Sequence, residues 1–166
     1  MVADGMFYEF HLRRFVLLYF LIGVIERELR KRVVITLGAY AAELGYLEWL
    51  DVVPDSYENL KNISMAVEKN SGTSDGIERH LPFAFWRRLF IGEYFSSHWV
   101  PALHQVFPSL SDPLSRKASD QVGQRLFKAN QIRNRIAHFD LEGAEKYENE
   151  KKVLVWLINA MGGPSG

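Results

Sequence analysis

From Gly5 to about Leu44 apolar residues recur at helical spacing, with no proline and only two further glycines, Gly23 and Gly38. That pattern predicts one long helix, or two joined by a kink. Its core line is expected to run through Leu18, Ile22, Ile25, Leu29, Thr36 and Tyr40. The apolar arc is widest from Leu17 to Ile25, as for a helix covered on most sides. "WLDVVPDS" breaks the pattern, and Ser56 then caps a short helix that runs to about Glu68. "KNSGTSDG", Lys69 to Gly76, reads as a loop. Pro82 suits the first turn of the next helix, "LPFAFWRRLFIGEYF", because its missing donor costs nothing there. Phe83, Phe85, Trp86, Leu89, Phe90 and Phe95 of that segment are expected to supply much of the aromatic core.

Pro101, Pro108 and Pro113 cut residues 97 to 115 into turns, with room for one short helix. Ser115 to about His138 reads as a long helix and Ala144 to about Met161 as the last, followed by "GGPSG" as a frayed tail. No alternating run bounded by turn signals suggests a sheet, and no internal repeat is present. The expected architecture is all-α. It is an up-and-down bundle of four principal helices with short accessory helices, one domain over residues 1–161 and a tail over 162–166.

Composition sharpens this picture. In 166 residues, 48% hydrophobic and 13% aromatic, there is material for one sizeable core and too little for two. Twenty basic residues balance twenty acidic ones, so nucleic acid finds no global positive field and any binding must rest on a local patch. The lack of cysteine removes disulfides, cysteine-ligated zinc and thiol catalysis, and fits a cytoplasmic setting. "FVLLYFLIGVI", Phe15 to Ile25, imitates the core of a signal peptide but is too short to span a bilayer. Asp4 and Glu9 sit where a basic leader belongs, and "ERELRKR" stands where a cleavage site should be, so a buried helix is the reading.

The concentrated chemistry lies in "NQIRNRIAHFD", residues 130 to 140. At about 100° per residue, Val122, Leu126, Ala129, Arg133 and Ile136 share one stripe, which places Arg133 on the core line. A guanidinium there must escape along its stem or meet an acidic or phosphate partner. Asn134 and His138 lie four apart and share a different face with Phe127, whereas Arg133 and His138 splay by about 140°. One helix hardly aims both at one atom. Two copies of the helix meeting across a two-fold axis would. The structural alternatives are a histidine serving the carbonyls at a helix end and an arginine tied to a buried acid.

"RNRIAH", Arg133 to His138, matches the R-x4-H signature of HEPN domains in its R-N-x3-H form. The remaining chain resembles the Abi-like branch of that superfamily. "FYEFHLRRFVLLYFLIGVIERELRKRV" is similar to its long early helix, "LPFAFWRRLFIGEYFSSHW" to its central helix and "ANQIRNRIAHFD" to its signature helix, so the resemblance covers about Phe7 to Asp140.

The resemblance implies a metal-independent endoribonuclease acting as a homodimer, without a cofactor. Its two signatures would face one another in a shared cleft and leave 2′,3′-cyclic phosphate ends, in phage defence by abortive infection or in a toxin–antitoxin system. His138 would be general acid or base, Arg133 would hold the scissile phosphate and Asn134 would orient one or the other. A Glu-x3-Lys/Arg pair on the early helix is represented by Glu26 and Arg30, which are otherwise an ordinary i,i+4 ion pair. In the family setting Glu26 could hold Arg133. Arg27, Lys31 and Arg32, with Lys128 and Arg135, are candidates for the local positive patch, although each alone is an ordinary surface charge.

Two features depart from the family pattern. Asp140 stands where one variant carries a modifiable tyrosine, so control by a nucleotidyltransferase has no support, and an element that commonly precedes the early helix is expected to be missing. His11, His80, His98 and His104 show no metal-ligand spacing, although His98 and His104 could approach one another near a turn; all are read as surface or packing residues. Expected partners are RNA, a second copy through the Arg133–His138 helix and an antitoxin protein, with no membrane. The competing readings are a non-catalytic module that binds RNA, a nucleotide or a protein, and a plain helical interaction protein.

Overall fold

The computed structural model describes residues 2–138 and 146–164. Among them the chain is all-α, with no strand. It consists of α1 (Val2–Glu43), α2 (Tyr57–Lys69), α3 (Phe83–Arg88), α4 (Arg116–Ala137) and α5 (Tyr147–Ala160), with 3₁₀ and π turns between them. No described helix is long and apolar enough to cross a membrane. Asp140 and the expected start of the last helix at Ala144 fall outside the described residues.

The long early helix is a single element of 42 residues. Leu18, Ile22, Ile25 and Leu29 are buried as expected, but the line continues through Val33, Leu37 and Ala41, leaving Thr36 and Tyr40 half-buried. The chain folds back over this end of α1 through the 3₁₀ turn Trp49–Val52, and that contact selects which apolar residues are covered. On the outward side Leu12, Val16, Tyr19 and Phe20 remain exposed. Ser56 caps α2 by accepting from the Asn59 N–H at 3.2 Å. Buried Asn59 in turn donates to the Pro54 carbonyl at 2.9 Å.

The central segment Leu81–Phe95 is not one helix. Pro82 is the N-cap of α3 rather than part of its first turn, and α3 ends at Arg88. Ile91 is extended, and a 3₁₀ turn (Gly92–Tyr94) and a π turn (Phe95–Trp99) follow. A close crossing accompanies the break. At Gly123 of α4, a side-chain carbon would lie 2.7 Å from the Phe90 carbonyl oxygen, so the two backbones meet only because that position is glycine. Phe83, Phe85, Trp86, Leu89 and Phe90 are buried as the sequence suggests, with Trp49 stacked on Trp86, while Phe95 is half-buried.

Two contacts set the direction of α5. Arg14 lies over the Tyr147 ring at its start, and Arg32 donates to the Gly163 carbonyl just past its end at 3.1 Å. Helices α1 and α5 therefore run parallel. The expected frayed tail is instead held at its first residues, where Gly162 and Gly163 take left-handed conformations and their N–H groups donate to Asn159 and Ile158 carbonyls. Helix α4 runs the other way. Its last turn reaches Glu150 through Arg135, and the segment leading into it meets the end of α5 where the Ser109 N–H donates to the Ala160 carbonyl. The end of α4, the start of α5 and the first third of α1 thus gather at one end of the bundle.

Candidate functional site

Helix α4 begins at Ser115, whose hydroxyl oxygen accepts from the Ala118 N–H at 3.1 Å, and ends with His138 as its C-cap. The buried line on this helix is Ala118, Ser119, Val122, Leu126, Ala129, Ile132 and Ile136. Arg133, expected on that line, is exposed. The line passes one residue earlier, through Ile132, which is 2% exposed. Burying Ile132 removes apolar surface from water. Turning Arg133 inward would instead desolvate a guanidinium.

Asn134 and His138 are exposed on the same side of α4 as Phe127, whose ring is 49% exposed. The His138 backbone N–H closes the helix on the Asn134 and Arg135 carbonyls at 3.2 Å each. Among the described residues, the side chains of Arg133, Asn134 and His138 make no hydrogen bond or ion pair. The other three arginines of α4 are engaged. Arg116 meets Asp120 at 3.2 Å, Arg125 donates to the Gln121 carbonyl and covers the Trp156 ring, and Arg135 pairs with Glu150.

The supporting residues are placed differently from expectation. Glu26 and Arg30 form their i,i+4 pair at 3.2 Å, half-buried on α1, and Glu26 makes no pair with Arg133. The buried acid of α1 is its neighbour Glu28, 2% exposed, which draws in Arg32 at 3.5 Å and Arg27 at 3.7 Å. Arg32, expected in a surface patch, is a half-buried clamp between Glu28 and Gly163. Arg135 is likewise committed to Glu150, itself 4% exposed. Arg27, Lys31 and Lys128 have exposed side chains. His98 and His104 do not meet one another. His98 Nε2 lies 3.0 Å from the Val52 carbonyl, and His104 Nδ1 lies 3.0 Å from the Trp99 carbonyl. No three histidine, aspartate or glutamate side chains converge as a metal site requires, among the described residues.

Sequence reading missed the pair Arg87 and Arg88, which ends α3. Both are half-buried, and buried guanidinium nitrogens of each, Arg87 Nε among them, meet no acceptor. Burial first, and the adjacent Arg88 charge second, push Arg87 below the ordinary arginine value. Its guanidinium carbon stands 5.1 Å from the centre of the Phe127 ring. Two adjacent arginines inside a run of aromatic residues were the available signal, because such a run is destined for burial. Compared with protein-family models, with curated proteins and with solved structures, the chain matches none.

Proposed function

We propose that this chain is a metal-independent endoribonuclease of HEPN type. It acts as a homodimer in which the C-terminal turns of two α4 helices face one another. The observation that carries this reading is the common exposure of Arg133, Asn134 and His138 at the end of α4. Three strongly polar side chains end a helix whose other arginines all have structural partners, and none of the three has one among the described residues. Polar groups exposed together at a helix end are available to a substrate.

His138 of one copy takes the proton from a ribose 2′-hydroxyl as that oxygen forms its bond to phosphorus. His138 of the other copy gives a proton to the departing 5′-oxygen as the P–O5′ bond breaks. A 2′,3′-cyclic phosphate and a 5′-hydroxyl result. Histidine suits both roles because its ordinary titration lies near neutrality. Arg133 neutralises charge on the pentavalent phosphorus with its planar donor fork, and Asn134 orients His138 or a phosphate oxygen. The biological setting that fits is abortive infection or a toxin–antitoxin pair, with RNA as substrate and an antitoxin as the restraining partner.

A non-catalytic binding module is the second reading. It is favoured by Glu26, which is held by Arg30 and does not brace Arg133. The deciding experiment is cleavage of a mixed RNA pool in EDTA by wild type, His138→Ala and Arg133→Ala, with product ends identified. Cyclic-phosphate ends from wild type alone support the nuclease. Equal cleavage by His138→Ala, or a strictly monomeric protein at micromolar concentration, overturns the mechanism.

A further inference from the structure

Helix α4 carries a second exposed surface element upstream of Asn134 and His138. At about 100° per residue, Asp120, Gln124, Phe127, Gln131, Asn134 and His138 all fall within about 40° of one line along the helix. The first half of that line forms one wall of a surface cleft of about 330 Å³, whose other wall is the end of α3 and the turn after it. Gly123 makes the cleft by letting α4 rest on the Phe90 carbonyl.

The cleft is lined by Arg87, Gln124 and the half-exposed ring of Phe127. Asp120 also borders it, but its carboxylate is met by Arg116 at 3.2 Å, so the charge left to the cleft is that of Arg87. The Arg87 guanidinium is half-buried and lines the cleft over one face of the Phe127 ring, so an anion entering there meets its charge in a partly desolvated place. Beside it lie a ring face on which a planar heterocycle can stack and an amide that can donate to and accept from a base edge.

We infer that this cleft is a nucleotide subsite for single-stranded RNA, with Arg87 on a backbone phosphate, a base stacked on Phe127 and Gln124 at its edge. The inference rests on the nuclease reading and extends it. Phe127 and His138 are eleven residues apart on one helix line, about 16 Å, the reach of a few nucleotides of extended strand. The strand would therefore run along α4 from the cleft to the cleavage point. This local contact answers the lack of net positive charge, since one phosphate and one stacked base per subsite need no global field.

The test is binding of a short fluorescent mixed-sequence RNA, by anisotropy at several salt concentrations, to the full chain and to Arg87→Ala and Phe127→Leu. Cleavage is measured in parallel with His138→Ala. Phe127→Leu is the safer variant for folding because the ring is exposed. The expected result is affinity lower by about 5- to 150-fold for Phe127→Leu, the usual range for one lost stack. For Arg87→Ala, the slope of log K against log salt should fall by about 1. Binding by Phe127→Leu and Arg87→Ala equal to wild type overturns the subsite, and His138-dependent cleavage would then leave the nuclease standing. Binding that needs Arg87 and Phe127 without any cleavage keeps the subsite and removes the nuclease. No binding and no cleavage by wild type removes both.

Discussion

Arg135, on the last turn of α4, holds the buried carboxylate of Glu150 one turn into α5. This ion pair joins the two helices beside the turn that carries Asn134 and His138, so it fixes where those side chains are presented. Removing the cation leaves an acid that is 4% exposed without its partner. Arg135→Ala should lower stability by about 2–4 kcal/mol, near the cost of breaking a buried pair and reduced by the partial exposure of the guanidinium. Glu150→Gln should cost less, because it removes the charge but keeps the shape. Urea denaturation of both variants checks the order.

The neighbouring arginine should behave in the opposite way. Arg133 is exposed, and neither it nor His138 makes a side-chain hydrogen bond or ion pair among the described residues. Arg133→Ala and His138→Ala should each change stability by less than about 0.5 kcal/mol, and under the proposed nuclease reading each should abolish cleavage. Thermal melts alongside the RNA assay separate the site from the scaffold.

Two glycines in helices should respond to alanine with opposite signs. At Gly38 a side-chain carbon would meet nothing within 4 Å, so Gly38→Ala should stabilise by about 0.5–1 kcal/mol through helix propensity. At Gly123 that carbon would come within 2.7 Å of the Phe90 carbonyl oxygen, a backbone atom that cannot swing away. The clash exceeds the propensity gain, and Gly123→Ala should cost about 1–3 kcal/mol. Midpoints of chemical denaturation read both.

His98 should give the fold a pH dependence. A carbonyl only accepts, so Nε2 carries the proton donated to the Val52 oxygen, and in the neutral ring Nδ1 accepts from the Ser97 hydroxyl at 2.8 Å. Burial lowers the His98 pKa below the ordinary 6.5, and the bond to Val52 only partly opposes it. Well above pH 6.5 the ring is neutral in both folded and unfolded chains and costs nothing. As the pH falls below 6.5, the unfolded chain takes up a proton that the folded chain resists, so stability is lost until the folded ring also titrates. His98→Gln should flatten this part of a plot of stability against pH.

Much of this fold is legible as helices and little of it as faces. The caps Ser56 and Ser115 are local signals, and both act as caps. The line of α1 is not local. Val33, Val34 and Ile35 point three ways around the helix, and only the chain folding back at Trp49–Val52 decides which is covered. On α4 the same ambiguity falls between Ile132 and Arg133, one residue apart, and spacing alone points to the wrong one because a seven-residue step from Leu126 lands on the arginine. Glu28 and Glu150 carried no mark of burial, since an acid on an amphipathic helix reads as solvated until its arginine is seen. Arg133, Asn134 and His138 stand out in the sequence by residue type, and all three are exposed, whereas Arg87 lies inside a segment whose aromatic rings dominate the pattern.

Helix α1 should open from its N-terminal end. Its buried line begins at Leu18 among the described side chains, and before it Glu9, Phe10, Leu12, Arg13 and Val16 are exposed. A helix end whose side chains are mostly exposed unwinds more readily than its buried middle, without the core unfolding. Amide hydrogens of α1 should therefore exchange with solvent in a graded order, fast near Glu9 and slowing toward Leu18. From Ile22 to Ala41 they should exchange only when the whole domain opens.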